Sequence, residues 1–235
     1  MRTLESKMLQ GLDEWVRPEH TALLIVDMQN DYCSAGGAQD RRGTVDAAQA
    51  MIPNLRELLT AARQHEVLPV FIRMGLDEQG LYLSGPDAGK RLKRWGMDKV
   101  AIKGTWGYEI VPELAPWRGE LVVEKHRGSG FEGTDLDMIL RSNLIRSVVV
   151  TGVVTQGCVD ATLRDAVNAD YYVVACTDCV ASGKREFHEM AIRLWEGSLE
   201  DGAVTTSGQV IAAWERAPSA ALRAGAVPAR APAPR

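Results

Sequence analysis

The sequence predicts a three-layer α/β/α sandwich around a mostly parallel central sheet. Three observations predict it. Short apolar runs alternate with longer amphipathic ones along most of the chain. The short runs are dense in Val, Ile and Leu without polar alternation, as strands buried on both faces are. The longer runs repeat their apolar positions at helical spacing. Strand–helix alternation of this kind is the sequence form of a parallel sheet covered by helices.

Residues 1–17 place Leu4, Met8, Leu12 and Trp15 at near-helical spacing, which predicts a helical extension over residues 1–20. It docks on its own domain or, in a second reading, on another subunit. The strand 22–26, ALLIV, ends at Asp27, and a helix over 46–65 follows. The strand 67–73 is followed by 121–124, LVVE, which ends at Lys125. A helix over 135–143 leads to the strand 147–152 and then to a helix over 158–168, with Val159, Leu163, Ala166 and Val167 on one face. The strand 171–177 precedes a helix over 184–195, whose Phe187, Met190, Ala191 and Leu194 share a face, and a last helix covers 207–216. One domain is therefore expected over 21–216. The tail, residues 217–235, is mostly Ala, Pro and Arg; it can bury little and is expected to be disordered.

One segment breaks the rhythm. Residues 74–118 join two strands with little periodicity, and connections that long are functional or disordered. Tyr82, Trp95, Trp106, Tyr108 and Trp117 fall within it, which favours an ordered wall or lid over a pocket. It also carries the run Lys90, Arg91, Leu92, Lys93, Arg94. Such a run forms a solvated face or attracts an anionic substrate.

The bulk numbers exclude several classes. The 235 residues suffice for one α/β unit with a large core. Lys+Arg 27 against Asp+Glu 31 leaves a net charge of −4, which argues against nucleic acid as a partner. Four cysteines in a chain this long do not read as a secreted disulfide framework. No secretory h-region and no membrane-length apolar run is found, so a cytoplasmic protein is expected.

Ligands of open parallel sheets bind outside the carboxyl ends of the strands. Three complementary groups are predicted at that edge: Asp27, Lys125 and, after the run VVTGVVTQG, Cys158. Singly each has an ordinary reading as turn cap, exposed charge or packed thiol. Together their roles interlock. A thiol becomes nucleophilic as thiolate, and its pKa falls at a helix start and beside a cation; an Asp can take its proton and return it to a leaving group. Backbone N–H groups of the turn can form an oxyanion hole, with Gly152 and Gly157 allowing the sharp path.

These residues resemble the isochorismatase-like cysteine hydrolases. The matching stretches are LLIVDMQNDY around Asp27, VVEKHRGSGFEGTDLD around Lys125, VVTGVVTQGCVDATLRDA around Cys158, VVACTDCVAS and AVTTSGQV. The resemblance implies an Asp27–Lys125–Cys158 triad of base, cation and nucleophile. It also implies a non-proline cis peptide at Val154–Thr155, with the Thr155 and Cys158 N–H groups as oxyanion donors. It implies a homodimer or homotetramer.

Cys158 itself points to amide cleavage, because isochorismatases proper resemble the family without that cysteine. Nicotinamidases of the family carry a metal-binding Asp-x-His cluster after the second strand. Here RMGLDEQ follows, with no histidine, and His20, His65, His126 and His188 lack ligand spacing, so no metal and no cofactor are expected. The stretches KGTWGYEIVPEL and EKHRGSGFEGTDLD are similar to the ureide and N-carbamoyl amidohydrolases. In that reading Trp106, Phe131 and Gln156 line the pocket and Arg127 meets a substrate carboxylate; packing, a turn and a surface salt bridge are the competing roles. The expected activity is hydrolysis of a non-peptide C–N bond of a small amide, ureide or N-carbamoyl compound through a thioester. The alternatives are an isochorismatase-type hydrolase with Cys158 a bystander, another small-molecule amidase acting on maleamate, nicotinamide or a lactam, and a non-catalytic binding protein. Cys176-Thr177-Asp178-Cys179 is a lone CxxC, for which packing outweighs a metal or redox role, and Cys33 has no assignable role.

Overall fold

The computed structural model describes residues 8–40, 44–92 and 100–218. Six parallel strands form one sheet in the order β3-β2-β1-β4-β5-β6. They are β1 (Thr21–Val26), β2 (Leu68–Met74), β3 (Leu121–Lys125), β4 (Ser147–Val153), β5 (Tyr172–Ala181) and β6 (Val204–Thr205). All residues of β1 and β4 are buried, which is why neither shows a polar face in the sequence.

Alternate side chains of each strand feed two cores. Leu23, Ile25, Phe71, Val149 and Val174 point to one side. There they meet α1 (Gly11–Trp15), α3 (Thr44–Gln64) and α8 (Ser207–Arg216). Ala22, Leu24, Val26, Ile72, Val148 and Val150 point to the other. That side is covered by α5 (Leu136–Ser142), α6 (Asp160–Asn168) and α7 (Arg185–Glu196). The three expected layers are present, and the sheet is wholly parallel rather than mostly so. Among the described residues no helix is long and apolar enough to cross a membrane.

The N-terminal helix packs on its own chain. Trp15 is buried in the α3–α8 core, and Trp214 of α8 donates its indole N–H to the Val16 carbonyl at 2.7 Å. Leu4, Lys93, Arg94, Trp95 and residues 219–235 of the tail lie outside the described residues.

Three features depart from the sequence expectations. β6 has only two residues, too few to carry a period, and pairs as Ala175↔Val204 and Cys176↔Thr205. β5 runs on to Ala181, past the predicted end at 177, with a register shift against β4 between Val150 and Gly152. The helix expected from Cys158 begins at Asp160; before it lies a wide turn, Thr155–Val159, with non-helical backbone at Gly157.

Strand order reverses between β1 and β4, with β2 and β3 on one side and β5 and β6 on the other. In doubly wound sheets the crevice at that reversal receives the ligand. Asp27 follows β1 and Cys158 follows β4. At this point Gly152 has φ +111°, and a Cβ there would stand 2.0 Å from the Val26 carbonyl oxygen. Only glycine lets the ends of β1 and β4 approach this closely.

Candidate active site

Asp27 leaves β1 with φ 52°, a left-handed conformation that costs a non-glycine residue of order 1–3 kcal/mol unless its surroundings impose it. They do: its N–H donates to the Ile72 carbonyl of β2 at 2.8 Å. Lys125 closes β3 and is fully buried. Its ammonium lies 2.8 Å from Asp27 Oδ2 and donates to the Arg127 carbonyl at 3.0 Å. Burial works against the lysine charge, but Asp27 and then Cys158 outweigh it and hold the ammonium above the usual lysine range. Asp27 Oδ1 is also buried and, among the described residues, has no hydrogen-bond partner. An orphaned buried carboxylate oxygen is costly and calls for a reason.

Cys158 stands beside both charges, close enough that each acts on its ionisation. The expectation of a lowered thiol pKa is overturned. Burial, and then the negative charge of Asp27, push the thiol up to about 12, and the pull of Lys125 only partly offsets them. The thiol lies in the turn ahead of α6, not in its first helical turn. At neutral pH it rests protonated, next to a carboxylate oxygen with nothing else to accept from.

The turn around the thiol is anchored from several elements. Gly157 N–H donates to the Val154 carbonyl at 2.9 Å. Thr162 Oγ1 donates to the Cys158 carbonyl at 2.7 Å and accepts from Gly130 N–H at 2.9 Å. The buried Thr155 shares a 2.8 Å hydrogen bond between its Oγ1 and Nδ1 of His188 on α7. A cis peptide joins Val153 to Val154, one bond before the expected Val154–Thr155 position; β4 runs through Val153, and the chain leaves the sheet there.

A cavity of about 370 Å³ opens above these groups, within the range of small-molecule sites. Asp27, Cys158, Gly157, Val153 and Val154 line its sheet side, and Arg127 and Gly128 its edge. Its outer wall comes from the aperiodic segment: Met74, Asp87, Lys90, Arg91 and Val100. The short helix α4 (Gly85–Lys90) supplies Asp87 and Lys90. Among the described residues, the wall expected from aromatic content is thus built, but from other side chains. Trp106 is 56 % exposed, Phe131 packs against the α5–α7 core and Tyr171, and Gln156 is exposed; none of the three lines the cavity. Among the described residues its one aromatic lining residue is Tyr32, whose phenol burial holds neutral.

The residues that sequence reasoning missed are those that hold the wall in place. Gln29 is fully buried and donates to the Met74 and Tyr108 carbonyls at 2.9 and 2.8 Å, while its Oε1 accepts from Met74 N–H at 2.8 Å. Asn30, which opens the short helix α2 (Asn30–Cys33), donates to the Trp106 carbonyl at 2.8 Å. Asp31 accepts from Ala101 N–H at 2.7 Å and Ala38 N–H at 3.1 Å, and a Cβ on Gly107 would strike its carboxylate at 2.3 Å. Three successive polar residues after Asp27, in a chain otherwise leaving an apolar strand, were the available signal.

The CxxC is structural in its contacts. Cys176 and Cys179 are buried in the α3–α8 core. Asp178 between them accepts from Ser207 N–H at 2.8 Å and Ser207 Oγ at 2.6 Å, so it caps the start of α8. Among the described residues no group of three or more His, Cys, Asp or Glu is placed to hold a metal.

Comparison with known proteins places this geometry in context. Residues 21–209 match the isochorismatase domain family model. An isochorismatase-like hydrolase from Alkaliphilus metalliredigens is 31% identical, with 83% of this chain and 99% of that one covered and a TM-score of 0.67. A cysteine hydrolase from Pseudomonas syringae pv. phaseolicola 1448A is 26% identical over 88% of this chain and 99% of its own, with a TM-score of 0.74. An N-carbamoylsarcosine amidase from Thermoplasma acidophilum is 27% identical over 80% and 96%, with a TM-score of 0.61.

Proposed function

The chain belongs to the isochorismatase family of hydrolases, and on that premise we propose that it is a cysteine amidohydrolase acting on a small non-peptide amide, ureide or N-carbamoyl compound. One observation carries the reading: Asp27 Oδ1, buried and without a partner among the described residues, stands beside a protonated thiol while Oδ2 is held by Lys125. That carboxylate is built as a base with one oxygen kept free.

Asp27 takes the Cys158 proton as sulfur attacks the carbonyl carbon and an S–C bond forms. Lys125 stabilises the thiolate as it appears. In this reading the oxyanion rests on backbone N–H groups of the Val154–Cys158 turn, that of Cys158 among them; Gly157 N–H is already bonded to the Val154 carbonyl. Donors of this kind contribute roughly 3–4 kcal/mol each in the transition state. The C–N bond breaks as Asp27 passes its proton to the departing nitrogen. Water, deprotonated by Asp27, then attacks the thioester; the S–C bond breaks and the proton returns to sulfur. No residue in this scheme calls for a cofactor, and the metal-bearing cluster is absent from the sequence after β2.

Ammonia release measured over ureido acids, biuret, maleamate, nicotinamide and small lactams, with Cys158→Ala alongside, tests the reading. The expected outcome is turnover of at least one amide by the wild type and a loss of about 10⁴-fold or more in the variant. Retention of near wild-type kcat by Cys158→Ala would instead make the thiol a bystander, as in ether-cleaving relatives.

A further inference from the structure

The stretch that supplies part of the outer cavity wall has little core of its own. None of residues 77–90 is buried. They fold locally: Asp77 accepts from the Leu81 and Tyr82 N–H groups at 3.0 and 3.3 Å, and Ser84 Oγ accepts from Asp87 N–H at 3.3 Å at the start of α4. Local bonds give the stretch a shape but do not fix its place on the protein. It contributes Asp87 and Lys90 to the catalytic cavity. A second cavity, of about 380 Å³, lies between residues 81–84 and His126, Arg127 and Glu132. Arg127 borders both cavities. A wall with open space on both flanks stays where its contacts hold it.

Three of those contacts converge on Tyr82, while Leu83 beside it packs on the cluster of Met74, Leu76 and Ile102. The Tyr82 ring lies flat on the His126 ring, with centroids 3.7 Å apart and planes 6° from parallel. Its carbonyl accepts from Arg127 Nη1 at 2.9 Å. Lys103 Nζ stands over the ring at 4.8 Å and is itself paired with Glu124. His126 is the fixed partner of the stack. Its Nδ1–H donates to the Gly75 carbonyl at 2.6 Å, and Gly75 N–H donates to the Lys125 carbonyl at 3.0 Å. The imidazole is thereby tied across the ends of β2 and β3.

We infer that Tyr82 and His126 are positioning residues: their stack is a latch that holds residues 81–90 as the outer wall and sets how large a molecule reaches Cys158. Stacked rings resist sliding and tilting more than a single hydrogen bond does, so the latch fixes the wall's distance from the sulfur. Breaking it frees the stretch to swing toward the second cavity, as loops over reactive sites do.

Two readouts test this; the second rests on the amidohydrolase reading above and the first does not. In the first, Cys158 is alkylated by iodoacetamide and by the bulkier N-phenyl iodoacetamide, which carries the same reactive group. Both rates are followed by peptide mass spectrometry, and their ratio is compared with that of free glutathione. In the wild type the bulky reagent is expected to be disfavoured by about tenfold or more relative to glutathione. The ratio should rise toward that of glutathione in Tyr82→Ala and in His126→Ala, and stay near wild type in Tyr82→Phe, which keeps a ring on the imidazole. The double alanine variant should rise no further than either single one, since both remove the same contact. Tyr82 is 38 % exposed, so its truncation leaves the cores intact. In the second, Tyr82→Ala is expected to raise KM about tenfold, with kcat within about threefold, for an amide found in the ammonia-release screen. A wild-type ratio equal to that of glutathione, or an unchanged ratio in Tyr82→Ala, overturns the proposal. Additive alanine effects overturn the shared latch, and an effect confined to His126→Ala would place the cause at its neighbour Lys125 instead. A fall in kcat at constant KM overturns the assignment to the wall. Failure of the amidohydrolase reading is distinct: no amide is cleaved in a Cys158-dependent way, while the alkylation ratios still decide the latch.

Discussion

Cys158 in the β4–α6 turn and the Cys176–Cys179 pair in β5 are chemically alike at rest. All are free thiols, and burial pushes the ionisation of all three up. What separates them is company. Cys176 and Cys179 stand among Val, Ala and Leu side chains of the α3–α8 core. Asp178, which acts on both thiols, already accepts two hydrogen bonds from Ser207. Cys158 faces a cavity, a buried ammonium and a carboxylate oxygen with no other claim on it. A raised thiol pKa therefore does not mark an inert cysteine; a proton acceptor within the same buried cluster decides whether the thiol can react.

The sharpest way to break this contrast is to remove the acceptor. Asp27→Asn is expected to lower amide hydrolysis by about 10³-fold or more. Because the Asp27 charge raises the thiol pKa and Lys125 lowers it, the same variant should alkylate faster with iodoacetamide at neutral pH. Loss of hydrolysis with slower alkylation would mean that Asp27 activates the thiol in the ground state instead.

Next in size is the anchor behind the turn. His188→Ala removes the partner of Thr155 Oγ1, and kcat is expected to fall about 10- to 100-fold with little change in the alkylation rate, since the displaced groups are oxyanion donors and not the sulfur. His188→Asn, which keeps a hydrogen-bonding group, should recover part of the loss. Equal activity of the two variants would reduce the contact to packing.

On the other side of the contrast, Cys176→Ser places a hydroxyl in the core and is expected to cost roughly 1–3 kcal/mol in urea unfolding, leaving kcat unchanged. A fall in kcat at constant KM would bring the β5 thiols into the mechanism.

The smallest effect is shared by both sites. Unfolded thiols ionise near 9, whereas folded Cys158 keeps its proton up to about 12 and the other three are raised as well. The folded state binds more protons above pH 9, so this contribution is present below pH 9 and is lost as pH rises from 9 toward 12. The urea midpoint should fall over that window, and less steeply in Cys176→Ala.

The sheet and the meeting of Asp27, Lys125 and Cys158 were legible because each follows from a local rule. Strands buried on both faces have an unmistakable composition, and reactive side chains at their carboxyl ends share an edge by topology. β6 was not legible, since Val204 and Thr205 pair only because β5 passes them. The cavity wall was not legible either. Met74, Ala101, Trp106 and Tyr108 are held by Gln29, Asn30 and Asp31 reaching their backbone from far along the chain, a pattern with no period to detect. The thiol pKa was misjudged for a related reason: position near a helix start is readable, whereas desolvation depends on what packs around it.

The close approach at Gly152 has a consequence for how such a protein can change. Asp27 and Cys158 belong to different connecting segments, but their spacing is inherited from the ladder between β1 and β4, where neighbouring strands lie about 4.8 Å apart and one absent methyl group permits the fit. The reaction geometry is thus stored in the scaffold, and the outer wall can be rewritten without disturbing it. Substitutions along 74–118 should shift which molecules are accepted, while an alanine at 152 should silence the chemistry for all of them without touching a reacting atom.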